Sequence, residues 1–339
     1  MSIKLVIWDL DNTLWQGTLT EGGGKKLRPG VLGVIRELDR RGIVQSIASK
    51  NDFAPAKRRL ESLGVWDYFL CPQISWEPKS RAVRTILDLL NIKENAALAA
   101  DDSPFERDEI RSALPKILVW DAADPGDVLL MPEAMPAFIT EDGSRRRLMY
   151  RADLMRQEAQ REFSGNNEEF LKTLHMRLTV SPVTEEDLER VEELTVRTHQ
   201  LNSTGYTYSF SELRELMTRP DWFFRVAALE DDYGDSGKVG IMLLKRQEKE
   251  LVLKLLIVSC RVMSRGVGSA LLAYATILAA REGRALLAEF RETEYNRIMY
   301  ITYKLAGFEE QSEAGDKLLL RYGESEPLTL PDYLDFREA

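Results

Sequence analysis

The chain is poor in cysteine, in long apolar runs and in positive charge, and each shortage excludes something. Two cysteines, Cys71 and Cys260, in 339 residues cannot make a disulfide framework, and they suit a reducing compartment, the cytoplasm. No apolar run approaches the ~18 residues of a membrane span; the nearest, 270–280, is broken by Tyr274 and Thr276. Lys and Arg number 46 against 55 Asp and Glu, a net charge of −9, so generic nucleic-acid binding by phosphate neutralisation is not expected. No signal peptide opens the chain, because Lys4-Leu5-Val6-Ile7-Trp8 runs straight into acidic residues without a cleavage pattern. Internal repeats and low-complexity segments are absent from the sequence too. What is present is globular in composition, 44% hydrophobic and 30% charged, and its length suits two domains.

The first 130 residues alternate strand-like and helix-like stretches. Short apolar runs at 4–10, 43–48, 69–74, 96–100 and 117–120 read as strands. Between them, 31–41, 55–63 and 80–90 carry helical spacing, and Ser103-Pro104-Phe105-Glu106 has the form of a capping box with Pro at the first helical position. Such alternation implies a parallel α/β sheet, with ligands beyond the carboxyl ends of its strands. Residues 136–174 read as a helical connector containing Arg145, Arg146, Arg147 and Arg151, either a solvated helix face or a docking patch for an acidic partner. From 175 a second, α+β domain of antiparallel strands and helices is expected, with strands at 177–183, 222–229, 239–245, 251–259, 286–290 and 318–322. Its helices fall at 185–200, from 265 to 280, and at 296–305; residues 230–238 read as a polar turn, and 324–339 as a loose acidic tail. The domains are thus placed at 1–135 and 175–323.

Chemistry enters at Asp9-Leu10-Asp11-Asn12-Thr13, where two carboxylates at i and i+2 leave the first strand together. Asp9 can attack phosphorus, while Asp11 protonates the leaving group and later deprotonates water. Carboxylates repel a phosphate dianion, so Mg²⁺ must bridge them, with Asp9, Asp11, Asp101 and Asp102 as its candidate ligands. Ser49 can hold a phosphoryl oxygen, and Lys79 can neutralise the nucleophile and the phosphate. The order of Asp pair, Ser, Lys and Asp pair resembles the four motifs of the haloacid dehalogenase superfamily of phosphohydrolases. Only residues 15–29 separate the first motif from the next helix, which leaves space for a flap and no cap domain. The site should be open to a large or tethered substrate.

In the second half, Arg265-Gly266-Val267-Gly268-Ser269-Ala270 resembles the signature of the GCN5-related acetyltransferase fold. Glycines 266 and 268 would let backbone N–H groups approach a pyrophosphate at a helix N-terminus, from coenzyme A or a phosphopantetheine arm. Asn296 and Tyr303-Lys304-Leu305-Ala306-Gly307-Phe308 resemble that fold's last motif. There the resemblance implies that Tyr303 is the acid to a leaving thiolate. The resemblance also makes Arg265, Gly266, Gly268, Ala270 and Asn296 the cofactor-binding residues.

Together, Trp8-Asp9-Leu10-Asp11-Asn12-Thr13-Leu14-Trp15, Ser49-Lys50-Asn51-Asp52 and Asp101-Asp102-Ser103-Pro104-Phe105-Glu106-Arg107 resemble the subfamily IIIC phosphatases of the FkbH-like family. Thr198-His199-Gln200-Leu201-Asn202-Ser203-Thr204 and Ser259-Cys260-Arg261-Val262-Met263 extend the likeness, which covers about 4–322. The resemblance implies removal of phosphate from 1,3-bisphosphoglycerate and loading of a glyceryl unit onto an acyl carrier protein for polyketide assembly. The alternative is a small-metabolite phosphatase fused to an acetyl-CoA-dependent acyltransferase. Where many members of that family carry Cys before the motif-two Ser, this chain has Ala48, which leaves Cys260 as the candidate acyl nucleophile unless the carrier thiol attacks directly. Cys71 reads as core. His199 admits either a proton-transfer or a capping role, and Gln200, Asn202 and Thr204 either ligand binding or capping.

Overall fold

A computed structural model describes residues 2–21 and 26–339. The chain divides into two compact units, Met1–Glu158 and Ala159–Ala339. The boundary falls within what the sequence suggests as connector.

The first unit runs β1 (Leu5–Trp8), α1 (Val31–Arg40), β2 (Val44–Ser49), α2 (Phe53–Ser62), β3 (Gln73–Ile74), α3 (Lys79–Leu90), β4 (Ala97–Asp101), α4 (Pro104–Ala113), β5 (Leu118–Asp121), α5 (Glu141–Ser144) and α6 (Arg146–Glu162). The five strands are all parallel, in the order β3-β2-β1-β4-β5. Side chains of β1 alternate between two cores. Val6 and Trp8 pack with Ile35, Leu38 and Leu60 of α1 and α2; Leu5 and Ile7 pack with Val83, Ile86 and Ile110 of α3 and α4. A strand buried on both faces has no polar alternation, which is why β1 reads as a continuous apolar run. Strand order reverses between β1 and β4, and the groups just past their carboxyl ends face one crevice. No cap domain follows β1 in the described residues; part of the flap expected at 15–29, residues 22–25, lies outside them.

The arginines of α6 are tied down inside this unit. Arg146 donates to the Gly42 carbonyl (3.0 Å). Arg147 pairs with Asp39 (2.9 Å) and lies over the Tyr68 ring, while Arg151 donates to the Asp67 carbonyl (2.8 Å). They are neither a solvated face nor a bare docking patch. Gly42, at φ +69°, allows the approach: a Cβ there would stand 2.5 Å from the Gly143 carbonyl oxygen.

The second unit contains α7 (Asn167–Thr173), β6 (Met176–Pro182), α8 (Leu188–Arg197), α9 (Phe210–Thr218), β7 (Trp222–Asp231), β8 (Gly234–Arg246), β9 (Glu250–Val258), α10 (Val267–Arg281), β10 (Ala285–Phe290), α11 (Arg297–Leu305), β11 (Phe308–Ala314), β12 (Lys317–Tyr322) and β13 (Leu334–Glu338). They form one sheet, β11-β12-β10-β9-β8-β7-β6-β13. It is mixed and not purely antiparallel, because β9–β10 and β6–β13 are parallel pairs. The expected polar turn at 230–238 is mostly strand, since β7 and β8 meet at Asp231 and Gly234. Of the tail expected to be loose at 324–339, Leu334–Glu338 forms the edge strand β13. Its alternating Leu334 and Phe336 pack on the core, Tyr274 donates to Glu338 (2.5 Å), and Arg177 and Arg281 hold Asp335 and Glu338.

β9 pairs with β10 only over Glu250 to Leu253. Its register against β8 then skips Lys254, passing from Leu244↔Leu253 to Leu243↔Leu255, a bulge after which the strand faces new partners. Leu201 to Ser203 lie along it there. Val258 donates to the Leu201 carbonyl (2.9 Å), Leu256 donates to Ser203 Oγ (3.0 Å), and Ser203 donates to the Leu256 carbonyl (3.0 Å).

Candidate active site

The first-unit site is assembled from four strand or helix ends. Asp9 follows β1, and its buried carboxylate accepts from Lys79 Nζ at 2.7 Å. Lys79 opens α3, whose first turn is capped by the Glu109 carboxylate through the backbone N–H groups of Lys79 and Ser80. The same ammonium pairs with Asp101, the last residue of β4, and with Glu106 of α4 at 2.5 Å. Ser49, ending β2, is buried, and its hydroxyl accepts from Asn51 Nδ2 at 3.2 Å. Asn51 also donates to Asp11 (3.1 Å). Asp11 is further fixed by Trp15 Nε1 (2.7 Å) and the Leu19 N–H (3.1 Å), so its carboxylate is aimed before any ligand arrives. Lys50 meets Glu106 at 3.0 Å.

Charge dominates this cluster. Asp9, Asp11, Asp101 and Glu106 stand against Lys79 and Lys50, an excess of two negative charges in largely buried surroundings. Burial pushes Asp9 up to about 7; Lys79 works against the rise and Asp101 adds to it. Burial likewise raises Asp101. For Glu106 burial is outweighed by Lys79 and Lys50, which hold it below the usual carboxylate range. Lys79 is raised despite its own burial, because the carboxylates hold its proton. Oxygens of Asp9, Asp101 and Glu106 lie within 4.8 Å of one another. An all-oxygen, net-anionic set of this kind fits a hard divalent cation such as Mg²⁺.

Of the residues expected from the sequence, Asp9, Asp11, Ser49, Lys79 and Asp101 are brought together. Asp102 is not: its side chain is exposed, and its carbonyl accepts from Arg107. Asp11 stands outside the three-carboxylate cluster, held by Trp15, Leu19 and Asn51. Sequence reasoning did not place Glu106 in this cluster, because Ser103-x-x-Glu106 reads as a capping box. Half of that box forms, with Ser103 Oγ accepting from the Glu106 N–H, while the Glu106 carboxylate turns into the site. Ala48 is core, and Cys71 is half-buried, its thiol pushed up by burial.

In the second unit the expected residues scatter. Cys260 is exposed, at the end of β9. Arg265 is buried toward the β7–β8 hairpin, donating to Ser236 Oγ at 3.0 Å, with Asp231 at 3.7 Å. Gly266 has φ +74° and lies against Tyr333, which leaves no room for a Cβ. Gly268 is open, and Ala270 is packed in α10. Asn296 is fully buried and structural: it donates to the Asn202 and Arg291 carbonyls (3.0 and 2.9 Å) and accepts from the Thr293 N–H (2.9 Å). Tyr303 is fully buried against Phe308 and Ser203, with its hydroxyl shielded and strongly raised by burial. In this conformation the hydroxyl is closed off from solvent. Asn202 caps its own loop through the Thr204 and Gly205 N–H groups. His199 and Gln200 are exposed, and His199 stacks loosely on Tyr295. His175 meets Asp232 at 2.7 Å.

No family model matches the chain, and no curated protein does. Among solved structures it is similar to the N-terminal part of a Bacteroides fragilis protein containing a phosphatase domain complexed with Mg, at 29% identity over 40% of this chain, with a TM-score of 0.36. The chain spans 41% of that structure's length. It is also similar to the PaiA N-acetyltransferase of Thermoplasma acidophilum in complex with coenzyme A, at 18% identity over 43% of this chain and 99% of that one, with a TM-score of 0.35. For the ribosomal-protein-S18-alanine N-acetyltransferase of Escherichia coli the identity is 16%, over 44% of this chain and 96% of that one, with a TM-score of 0.34. Among the described residues, no helix is long and apolar enough to cross a membrane.

Proposed function

We propose that this chain is a two-site enzyme that removes phosphate from 1,3-bisphosphoglycerate and delivers the glyceryl group to the phosphopantetheine thiol of an acyl carrier protein. The observation that supports the phosphatase half is the sharing of one ammonium, Lys79, by Asp9, Asp101 and Glu106 beside an oriented Asp11. The delivery half rests on the sequence resemblance described above.

On this reading Asp9, Asp101 and Glu106 would hold Mg²⁺, which when bound would supply the charge neutralisation that lets a carboxylate meet a phosphate. An Asp9 oxygen attacks phosphorus, the bond to the leaving oxygen breaks, and Asp11 gives that oxygen its proton. Asp11 then takes a proton from water, whose oxygen attacks the aspartyl phosphate and releases phosphate with Asp9 restored. Ser49 and Lys79 hold phosphoryl oxygens. Thioester formation needs none of this: a thiolate attacks the acyl-phosphate carbonyl and expels phosphate, leaving a thioester that still carries the 3-phosphate. The exposed Cys260 is the candidate if that thiolate belongs to the enzyme.

The test is to mix the chain with Mg²⁺, 1,3-bisphosphoglycerate and a holo acyl carrier protein from its gene neighbourhood, then weigh the carrier. The expected result is a glyceryl-sized gain without phosphate. An unchanged carrier with phosphate released would overturn the delivery half. Loading at the normal rate by Cys260→Ala would remove Cys260 from the mechanism.

A further inference from the structure

The second unit holds a cavity of about 250 Å³ lined by Thr204, Tyr206, Tyr208, Lys254, Arg291 and Lys317. None of these residues has a role in the chemistry above. We infer that this cavity binds the phosphate end of a small phosphate monoester, which deepens the proposed function: the acyl group there still carries its 3-phosphate when the thioester forms.

The lining is built across three neighbouring strands. Lys254 lies on β9, Glu289 on β10 and Lys317 on β12, and Glu289 bridges the two lysines, with Lys317 at 3.0 Å. The bulge on β9 leaves Lys254 without a partner across β8 and re-aims it. Each Glu289 oxygen accepts from one lysine, so the carboxylate fixes both ammonium groups side by side. Each lysine spends one of its three donors there. Arg291 uses Nε on Asp316 at 2.8 Å, a pair whose carboxylate is 66% exposed and worth little in water, leaving its paired terminal donors. The half-buried Tyr208 hydroxyl has no hydrogen-bond partner among the described residues, and burial pushes it up to about 12, so it stays a neutral donor at ordinary pH. Thr204 Oγ1 accepts from the Tyr206 N–H, which leaves its own proton to give.

The polar groups left uncommitted around the cavity are therefore donors. Three cations stand against Glu289, Asp316 and the Glu212 carboxylate that accepts from Tyr206, so charge is balanced and the surplus is one of hydrogen-bond donors. A fan of two ammonium groups, a guanidinium and two hydroxyls suits the three terminal oxygens of a phosphate monoester better than the two of a carboxylate.

The test is lysine footprinting of the full chain in EDTA, where the first site cannot turn over. An amine-acylating reagent labels the protein with and without 3-phosphoglycerate, and mass spectrometry reads each lysine. Labelling of Lys254 and Lys317 should slow roughly tenfold at ligand near ten times Kd, while the exposed Lys172 stays unchanged. Glycerate should protect neither lysine. Protection by inorganic phosphate would support phosphate as the recognised group. Arg291→Ala should weaken protection and Arg291→Lys should recover part of it, with thermal melts confirming that both variants fold. Unchanged labelling of both lysines at saturating 3-phosphoglycerate, or equal protection by glycerate, would overturn the inference. Because the readout is binding at named lysines, failure of carrier loading would not mimic failure here.

Discussion

Lys79 is the pivot of the first site, and the carboxylates around it are destabilising without a cation. Asp9 rises from an ordinary carboxylate value to about 7 through burial. A raised carboxylate contributes stability below its unfolded pKa and loses it as pH climbs through the folded one. Metal-free protein should therefore lose stability between about pH 4 and 7, and Asp9→Asn should remove part of that loss. Differential scanning calorimetry in EDTA should show Asp9→Asn melting about 2–4 °C above wild type at pH 8, roughly 1 kcal/mol, with a smaller difference at pH 5. An equal difference at both pH values would contradict this. Residue-level placement also separates Glu106 from Asp102. Glu106→Gln should weaken Mg²⁺ binding by about tenfold or more, while Asp102→Asn should change it little, measured by titration calorimetry. The sequence shows the Asp pair, Ser49, Lys79 and Asp101 because each follows a strand or opens a helix in a fixed order. Glu106 was hidden because the same spacing has a local explanation, the cap, and only tertiary packing turned its carboxylate inward.

At the scale of elements, helices and buried strands were legible wherever periodicity was sustained. The α1 apolar positions Val31, Val34, Ile35 and Leu38 are all buried. Elements defined by distant partners were legible only in part. The strand read at 69–74 shrinks to Gln73–Ile74, where it pairs with Ala48 and Ser49, and β13, which pairs with the edge of β6, was not read at all. Acidic composition suggested a loose tail at 324–339, yet Leu334 and Phe336 alternate as a half-buried strand requires. Removing residues 324–339 should lower Tm by about 5–10 °C, from ~2–3 kcal/mol of lost apolar burial and the freed edge of β6. A truncated chain with an unchanged melting curve would show that β13 contributes nothing. In the second unit the Gly-rich signature correctly located the start of α10. It did not reveal that Arg265 turns into the β7–β8 hairpin, that Tyr333 covers Gly266, or that Asn296 is a strut for Asn202. Those outcomes depend on residues 29 to 94 positions away in sequence.

For the whole molecule, two compact units carry two kinds of charge. The first concentrates carboxylates around one lysine. The second concentrates hydrogen-bond donors around a cavity and leaves an exposed thiol at Cys260. The arginines of α6 are used within the first unit, so recruitment of an acidic carrier is not assigned to them.

The most direct test of this account is phosphate release from p-nitrophenyl phosphate by wild type and Asp9→Asn, with and without Mg²⁺. The account predicts release only with Mg²⁺ and a loss of at least about a thousandfold in Asp9→Asn, the scale of removing a nucleophile. Full activity in the mutant, or full activity in EDTA, would contradict the assignment of Asp9 and of the cluster built around Lys79.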